Sequence, residues 1–188
     1  MKIITLTEKQ AKFTFYAIRE RLAFQELAKH KGYMTHMLSD ESGYDKWDVI
    51  YSDANTRNIA ELKVRKHSST DFNGKWILER SKYEALTTSI EGRIVEFIRL
   101  KPTFIIFFYD CIAIFDMSKI DPTSFKTERL RASSVSGEEE AVDKEVTYMD
   151  IKTAEVIPYS LDFDKLSYNA KIVMKYKYPN NSKHVINI

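Results

Sequence analysis

The spacing of apolar residues predicts a long helix near the start of the chain. Thr7-Glu8-Lys9-Gln10 fits the capping box, in which the first and last side chains bind free backbone NH groups at a helix start. Apolar residues follow at helical spacing, and they are Ala11, Phe15, Ile18 and Leu22. Gly32 supplies a stop, because glycine readily adopts the left-handed conformation that ends helices. The pattern predicts one helix over residues 8–30.

Beyond this helix the pattern becomes that of β-strands. Residues 46–52 and 58–66 are largely apolar runs around the polar segment SDANTRN, which predicts a hairpin. A loop rich in Ser, Asp, Asn and Gly covers residues 67–74. The segment KWILE at 75–79 is predicted as a third strand.

A second helix and two buried strands are predicted next. Ser81-Lys82-Tyr83-Glu84 is another capping box. The helix behind it runs towards Pro102 on the apolar residues Leu86, Ile90, Ile94 and Ile98. The run PTFIIFFYDCIAIFDM offers two nearly continuous apolar strands around Asp110, as expected for strands covered on both faces. Shorter strand candidates follow at 146–149, 154–158 and 171–177.

The predicted order is helix, three strands, helix, two strands and a mixed tail. This order indicates an α/β (α+β) fold, with a mixed central sheet flanked by helices. A length of 188 residues fits a single domain over 1–188. Its core is expected at about 7–117, and 118–188 is expected to form a mixed, β-rich extension.

The composition limits the classes of function. A net charge of +2 is nearly balanced, so recognition of phosphate has to come from local clusters of charge. The single cysteine, Cys111, excludes an internal disulfide framework and a multi-cysteine zinc site. The chain contains neither the G-x-x-x-x-G-K-[ST] nor the G-x-G-x-x-G motif, and it has only five glycines. Glycine-rich phosphate loops are therefore excluded.

No apolar stretch approaches the roughly 18–20 residues that a membrane span needs. The first residues, MKIITLTEKQ, lack the apolar region of a signal peptide. These features predict a soluble protein that works in the cytoplasm and has no membrane partner.

Candidate chemistry lies on the predicted hairpin. Side chains alternate along a strand, so Glu61 and Lys63 project from one face, together with Arg65. A two-residue turn at Ala54-Asn55 would place Asp48 directly opposite Glu61, with Cβ atoms roughly 5 Å apart. Like charges in that position destabilise a sheet unless something compensates them.

A divalent cation would compensate the two carboxylates. Mg²⁺ is commonly held by one or two carboxylates, with waters and phosphate oxygens completing its coordination. Asp48 and Glu61 are therefore the candidate metal ligands. Lys63 would stand beside the cation and stabilise charge on a scissile phosphate, or position and deprotonate the attacking water.

This arrangement resembles the active site of the restriction-endonuclease-like, or PD-(D/E)XK, nucleases. The motif reads Asp48, twelve intervening residues, then Glu61-Leu62-Lys63, and the order helix, three strands, helix, strand (αβββαβ) is that of the family core. An arginine shortly after the lysine and a Ser-Lys-Tyr sequence opening the next helix look like phage and bacterial members. One departure is Trp47, where the family often has proline.

The resemblance implies a hydrolase, a Mg²⁺-dependent nuclease in which Mn²⁺ substitutes, acting on double-stranded or branched DNA. It also implies an acid from the first helix, for which Glu26 is the candidate with Glu20 behind it. Phosphate contacts are expected from Arg65, Lys66 and Lys82. Many such nucleases act as homodimers, and the sequence leaves endonuclease and exonuclease activity, and RNA as substrate, open.

Other interpretations of the same residues stay open. Glu61 and Lys63 could form a charged pattern on an exposed face, and Asp45 and Asp53 compete with Asp48 as the first acid. A different function on the same fold is a catalytically silent nucleic-acid-binding or phage assembly module.

Overall fold

The structure is a computed structural model that describes residues 6–41, 45–91, 100–131 and 141–180. Its helices are α1 (Glu8–Lys31), α2 (Arg80–Glu91) and α3 (Phe163–Lys177). Its strands are β1 (Met34–Leu38), β2 (Val49–Ser52), β3 (Arg57–Val64), β4 (Lys75–Glu79), β5 (Leu100–Phe107), β6 (Ile112–Asp116), β7 (Lys126–Arg131), β8 (Ala141–Asp150) and β9 (Glu155–Ile157).

The fold is built on a mixed six-stranded sheet in the order β1-β2-β3-β5-β6-β9. β3 and β5 run parallel, and the other neighbours are antiparallel. Side chains of α1 and α3 pack on one face of the sheet. The other face packs against α2 and a smaller sheet in the order β4-β8-β7. The predicted α+β fold, a mixed central sheet flanked by helices, is confirmed.

The first helix forms for the predicted reason. The Thr7 hydroxyl accepts from the Gln10 NH at 3.3 Å, and the Gln10 side chain accepts from the Thr7 NH at 2.9 Å. Gly32 ends the helix with a φ of 71°. The helix presents Phe24 and Leu27 to the sheet, where both are fully buried. Burial of this face fixes the rotation of α1, and thereby which of its acids meets β3.

The hairpin of β2 and β3 has the predicted register. Ser52 pairs with Arg57 and Ile50 with Ile59. The Asp53 NH donates to the Thr56 oxygen at 3.1 Å, which closes a two-residue turn. The Asp53 carboxylate also accepts from the Thr56 NH at 2.8 Å, so this acid stabilises the turn.

One predicted strand joins the smaller sheet, and the main sheet has one strand that the sequence did not predict. KWILE does form β4, but it pairs with β8 in the smaller sheet. The third strand of the main sheet is β1, which the sequence did not predict because this edge strand is largely exposed and carries no clear alternation. The main sheet therefore still follows the αβββαβ order.

The predicted strand at 171–177 is part of α3. The buried positions are Phe163, Leu166, Ala170 and Met174, whose spacing is helical. The helix begins eight residues before position 171, and its helical spacing of buried residues continues through the segment predicted as a strand.

The second predicted helix begins at Arg80, one residue before the proposed cap Ser81. The residues Ile94 and Ile98 of that prediction lie outside the described part of the chain. No helix in the described ranges is long and apolar enough to cross a membrane.

Candidate active site

Asp48 is positioned by a distortion at the start of β2. Its NH donates to the Ala60 oxygen at 2.8 Å, although Ala60 pairs with Val49. Two consecutive residues thus lie opposite one, as in a β-bulge, which re-aims side chains. The Asp48 carboxylate then accepts from the Leu62 NH at 2.8 Å. The predicted placement directly opposite Glu61 is therefore wrong in detail, although the bulge keeps Asp48 beside the same strand.

Glu61 lies within β3 and is only 2% exposed. Its Oε1 is 3.0 Å from the Lys63 ammonium and 2.8 Å from the Lys82 ammonium of α2. Burial would raise the pKa of the Glu61 carboxyl, but the two lysines together lower it below its usual value. Glu61 is therefore a buried carboxylate that stays ionised.

Lys63 connects β3 to the first helix. Its Nζ lies 3.4 Å from both oxygens of Glu20, whose side chain is 12% exposed. Burial alone would lower the pKa of Lys63, but Glu20, Glu61 and Asp48 together hold it well above its usual value. Lys63 is thus an ammonium at neutral pH.

Asp48 has the most perturbed acidity of the site. Burial, followed by the negative charge of Glu61, raises the pKa of Asp48 to about 7. The Lys63 charge and the hydrogen bond from the Leu62 NH oppose this shift without cancelling it. Asp48 therefore holds its proton more tightly than an exposed aspartate, and a nearby cation would favour its ionised form.

Arg21 is a residue of the site that the sequence analysis missed. Its Nη2 lies 3.7 Å from Asp48 Oδ1, and it donates to the Ser39 hydroxyl at 2.6 Å. Its Nε donates to the Ser39 backbone oxygen at 3.2 Å. Arg21 follows Glu20 directly on α1, so its position near the first-helix acid could be read from the sequence. Its contacts with Ser39 and Asp48 could not, because only the tertiary structure brings these residues to it.

The structure does not bring Glu26 to the site, which corrects its prediction as the first-helix acid. Glu26 is exposed, whereas Glu20 contacts Lys63. With 3.6 residues per turn, side chains six positions apart point roughly 120° away from each other. Burial of Phe24 and Leu27 leaves Glu20 on the side that faces β3.

The predicted phosphate-binding residues occupy different positions. Lys82 lies in the first turn of α2, with its ammonium on Glu61 and its side chain 41% exposed. Arg65 and Lys66 follow the end of β3, where Arg65 is half-buried and Lys66 is exposed. Only Lys82 among these three contacts an acid of the site.

The rival first acids have structural contacts elsewhere. Asp53 stabilises the hairpin turn, and Asp45 accepts a hydrogen bond from the Asp40 NH at 3.2 Å. Asp48 is therefore the acid that the fold brings beside Glu61.

The two carboxylates of the site, Asp48 and Glu61, are ligands of the type that a hard divalent cation binds. Asp48 and Glu61 are carboxylates with little exposure, and the negative charge of Glu61 raises the pKa of Asp48. A cation between them would relieve that repulsion, and Mg²⁺ needs only one or two carboxylates from a protein. Within the described ranges, no three His, Cys, Asp or Glu side chains are gathered as a metal cage.

Comparisons with known proteins give little further information. No protein-family model matches the chain, and no curated protein matches it. Among solved structures the chain is similar to Hjc, a Holliday junction resolvase from the archaeal hyperthermophile Archaeoglobus fulgidus. The two are 13% identical, the match covers 80% of this chain and 93% of that one, and the TM-score is 0.44. A likeness of this extent carries no functional assignment for this chain.

Proposed function

We propose that the protein is a divalent-metal-dependent nuclease that hydrolyses phosphodiester bonds of DNA. The observation that supports this proposal best is the buried group of Asp48, Glu61 and Lys63. Two carboxylates and one ammonium meet there: Asp48 lies at the bulge before β2, and Glu61 and Lys63 lie on β3. Such a group is costly to bury unless it serves chemistry or is fully paired.

Asp48 and Glu61 are the residues that would hold the cation. Mg²⁺ bound there, or Mn²⁺ in its place, would supply an acidified water and neutralise charge on a phosphate. Asp48 must lose its proton to act as a ligand, so a bound cation would compete with the proton that the raised pKa favours. In the hydrolysis, a bond would form from the water oxygen to phosphorus and the in-line bond to the leaving sugar oxygen would break. The proton released by the attacking water would pass to solvent, and the leaving oxygen would take up a proton from solvent.

The raised pKa of Lys63 favours one of its two candidate roles. A lysine that favours its protonated form is suited to stabilise negative charge on the phosphate rather than to accept a proton from the water. Glu20 lies on its other side and holds the ammonium in place. Lys82 has an exposed portion and would exchange its contact with Glu61 for a phosphate oxygen of the DNA.

Glu20 and Glu26 offer a matched test of the first helix. Glu20→Gln is expected to lower the cleavage rate roughly 10–100-fold, because it loosens the position of Lys63. Glu26→Gln removes an exposed charge from the same helix and is expected to leave the rate unchanged. Initial rates of plasmid nicking measure both. Equal rates for the two variants would remove Glu20 from the site.

A specific observation favours a second candidate, a non-catalytic nucleic-acid-binding or phage assembly module. Both Lys63 and Lys82 contact the same oxygen of Glu61, so this acid is already neutralised by the protein itself. A site stabilised in this way has less need of a cation.

A substrate panel separates these functions. The purified protein is incubated with supercoiled plasmid, single-stranded DNA, RNA and a branched junction, each with Mg²⁺, Mn²⁺ or EDTA. We expect cutting of plasmid or junction with either metal and none with EDTA. Binding of DNA without cutting in any metal would favour the module instead.

A further inference from the structure

The loop that follows β3, together with Lys75 at the start of β4, spans residues 65–75 and holds an aromatic residue in an unusual backbone conformation. Phe72 has φ 54° and ψ 35°, and Asn73 has φ 56° and ψ 30°. Gly74 continues the left-handed turn with φ 69°. Glycine and asparagine adopt this region readily, but a bulky side chain such as Phe rarely does. Conformations of this kind concentrate at functional sites, where the surrounding structure enforces them.

The surroundings of the turn do enforce it. The Asp110 carboxylate accepts from the Ser69 NH at 2.8 Å and from the Ser69 hydroxyl at 2.6 Å. The Trp76 indole donates to the Ser69 oxygen at 3.2 Å. At Gly74 a Cβ would lie 2.7 Å from the side chain of Ile151. These contacts hold the loop in one conformation, with Phe72 at its surface.

The ring of Phe72 points outward, and the residue is 63% exposed. Its aromatic neighbours meet it at steep angles: Trp76 at 90° and 5.4 Å, and His67 at 66° and 5.2 Å. Neither neighbour stacks parallel to the ring. A flat aromatic group of a ligand therefore has room to stack on Phe72.

The charge around Phe72 suits a nucleic acid. The loop carries three cations, Arg65, Lys66 and Lys75, none of which forms an ion pair within the described ranges. The one acid within the loop, Asp71, lies 3.3 Å from the His67 ring, and the Asp110 carboxylate lies against the loop at Ser69. An exposed aromatic ring and unpaired cations on one segment are features by which proteins stack the bases and hold the backbone of unpaired strands.

The loop is also close to the candidate site. It leaves the sheet at Arg65, two residues after Lys63, where the Arg65 NH donates to the Phe107 oxygen at 2.9 Å. Nine residues of extended chain span at most about 30 Å, which limits the distance from Lys63 to the Phe72 backbone. This limit is about nine base pairs of duplex, at roughly 3.4 Å per pair.

We propose that Phe72 stacks on an unpaired base, so that the preferred substrate is DNA with a disrupted base pair near the cleaved bond. Branch points, mismatches and frayed ends share that chemistry. The inference rests on the proposed function for the identity of the nucleic acid and deepens it. It assigns to the loop 65–75 the choice of substrate structure.

The test measures binding in EDTA, where no cutting occurs. Wild-type protein is titrated, at one salt concentration, with a paired duplex and with a duplex carrying one unpaired 2-aminopurine. We expect the unpaired duplex to bind about tenfold more tightly, equivalent to about 1.4 kcal/mol, with quenching of the 2-aminopurine fluorescence. Phe72→Leu should lose the preference and the quenching and keep its affinity for the paired duplex. Tyr168→Leu, at an aromatic residue 66% exposed on α3, is the control and should behave as wild type.

A second variant separates binding from a structural role. Glycine adopts the left-handed region without strain, so Phe72→Gly should raise the Tm and still lose the preference. If Phe72 only covers Trp76, its removal should lower the Tm and leave the preference intact. Any of three results overturns the inference. They are a lower Tm with the preference intact in Phe72→Gly, a preference retained by Phe72→Leu, and no binding of DNA by the wild type. A Phe72-dependent preference without cutting in Mg²⁺ defeats the nuclease proposal alone, and cutting without Phe72 dependence defeats this inference alone.

Discussion

Asp48→Asn is expected to make the metal-free protein more stable at pH 8 while it abolishes cleavage. The folded pKa of Asp48 is raised to about 7 from an ordinary value of 3.8. A raised carboxyl pKa gives stability that is fully present below about pH 4 and is lost as pH rises through 7. Asparagine cannot ionise and still accepts the Leu62 NH, so this loss disappears. Since one pKa unit corresponds to about 1.4 kcal/mol, the gain is a few kcal/mol.

Urea unfolding at pH 5 and pH 8 in EDTA measures this effect. The wild type should lose more stability than Asp48→Asn over that interval, and the difference between the two isolates Asp48 from other titrating groups. Asp45→Asn, at an exposed acid outside the site, should unfold with the pH dependence of the wild type. Equal pH dependence for wild type and Asp48→Asn would contradict the burial of an ionising carboxyl at this position. Cleavage by Asp48→Asn should fall at least roughly 100-fold, because one candidate metal ligand is lost.

Lys63→Met is expected to cause large losses of both stability and activity. Methionine keeps the apolar part of the side chain but removes the ammonium that contacts both Glu20 and Glu61. Breaking a buried pair by removing one partner costs roughly 3–5 kcal/mol. Loss of a preorganised charge at the phosphate should reduce cleavage a further roughly 10²–10³-fold.

A double variant separates these two losses. Adding Glu20→Gln to Lys63→Met removes one unpaired carboxylate, so part of the lost stability should return. Cleavage should not return, because the ammonium is still absent. Lys66→Met, at an exposed lysine on the same segment, should change stability by less than about 0.5 kcal/mol. Recovery of cleavage in the double variant would show that Lys63 acts only through folding.

Local rules explain what the sequence could predict. The capping box at Thr7 and the two-residue turn at Ala54-Asn55 depend on neighbours in the chain, and both form as expected. The turn then fixes the register of the hairpin, so Glu61 and Lys63 could be placed on one strand beside Asp48. These parts need no knowledge of the rest of the fold.

Tertiary packing decides what the sequence could not predict. The choice of Glu20 over Glu26 depends on which face of α1 packs on the sheet. The apolar residues of α1 alone do not fix the rotation of the helix about its axis. The bulge at Asp48 depends on where β2 begins to pair with β3. The contact of Lys82 with Glu61 depends on how α2 packs against the sheet. The pairing of β4 with the distant β8 likewise has no local signature.

Glu61 is the residue on which the proposed metal-dependent cleavage of DNA depends most. A time course of supercoiled plasmid cleavage compares wild-type protein and Glu61→Gln in Mg²⁺, with an EDTA control and a circular dichroism check that both proteins are folded. We expect cleavage by the wild type in Mg²⁺, none in EDTA, and a loss of at least about 10³-fold in Glu61→Gln. Equal cleavage by folded Glu61→Gln, or cleavage that persists in EDTA, would contradict this proposal.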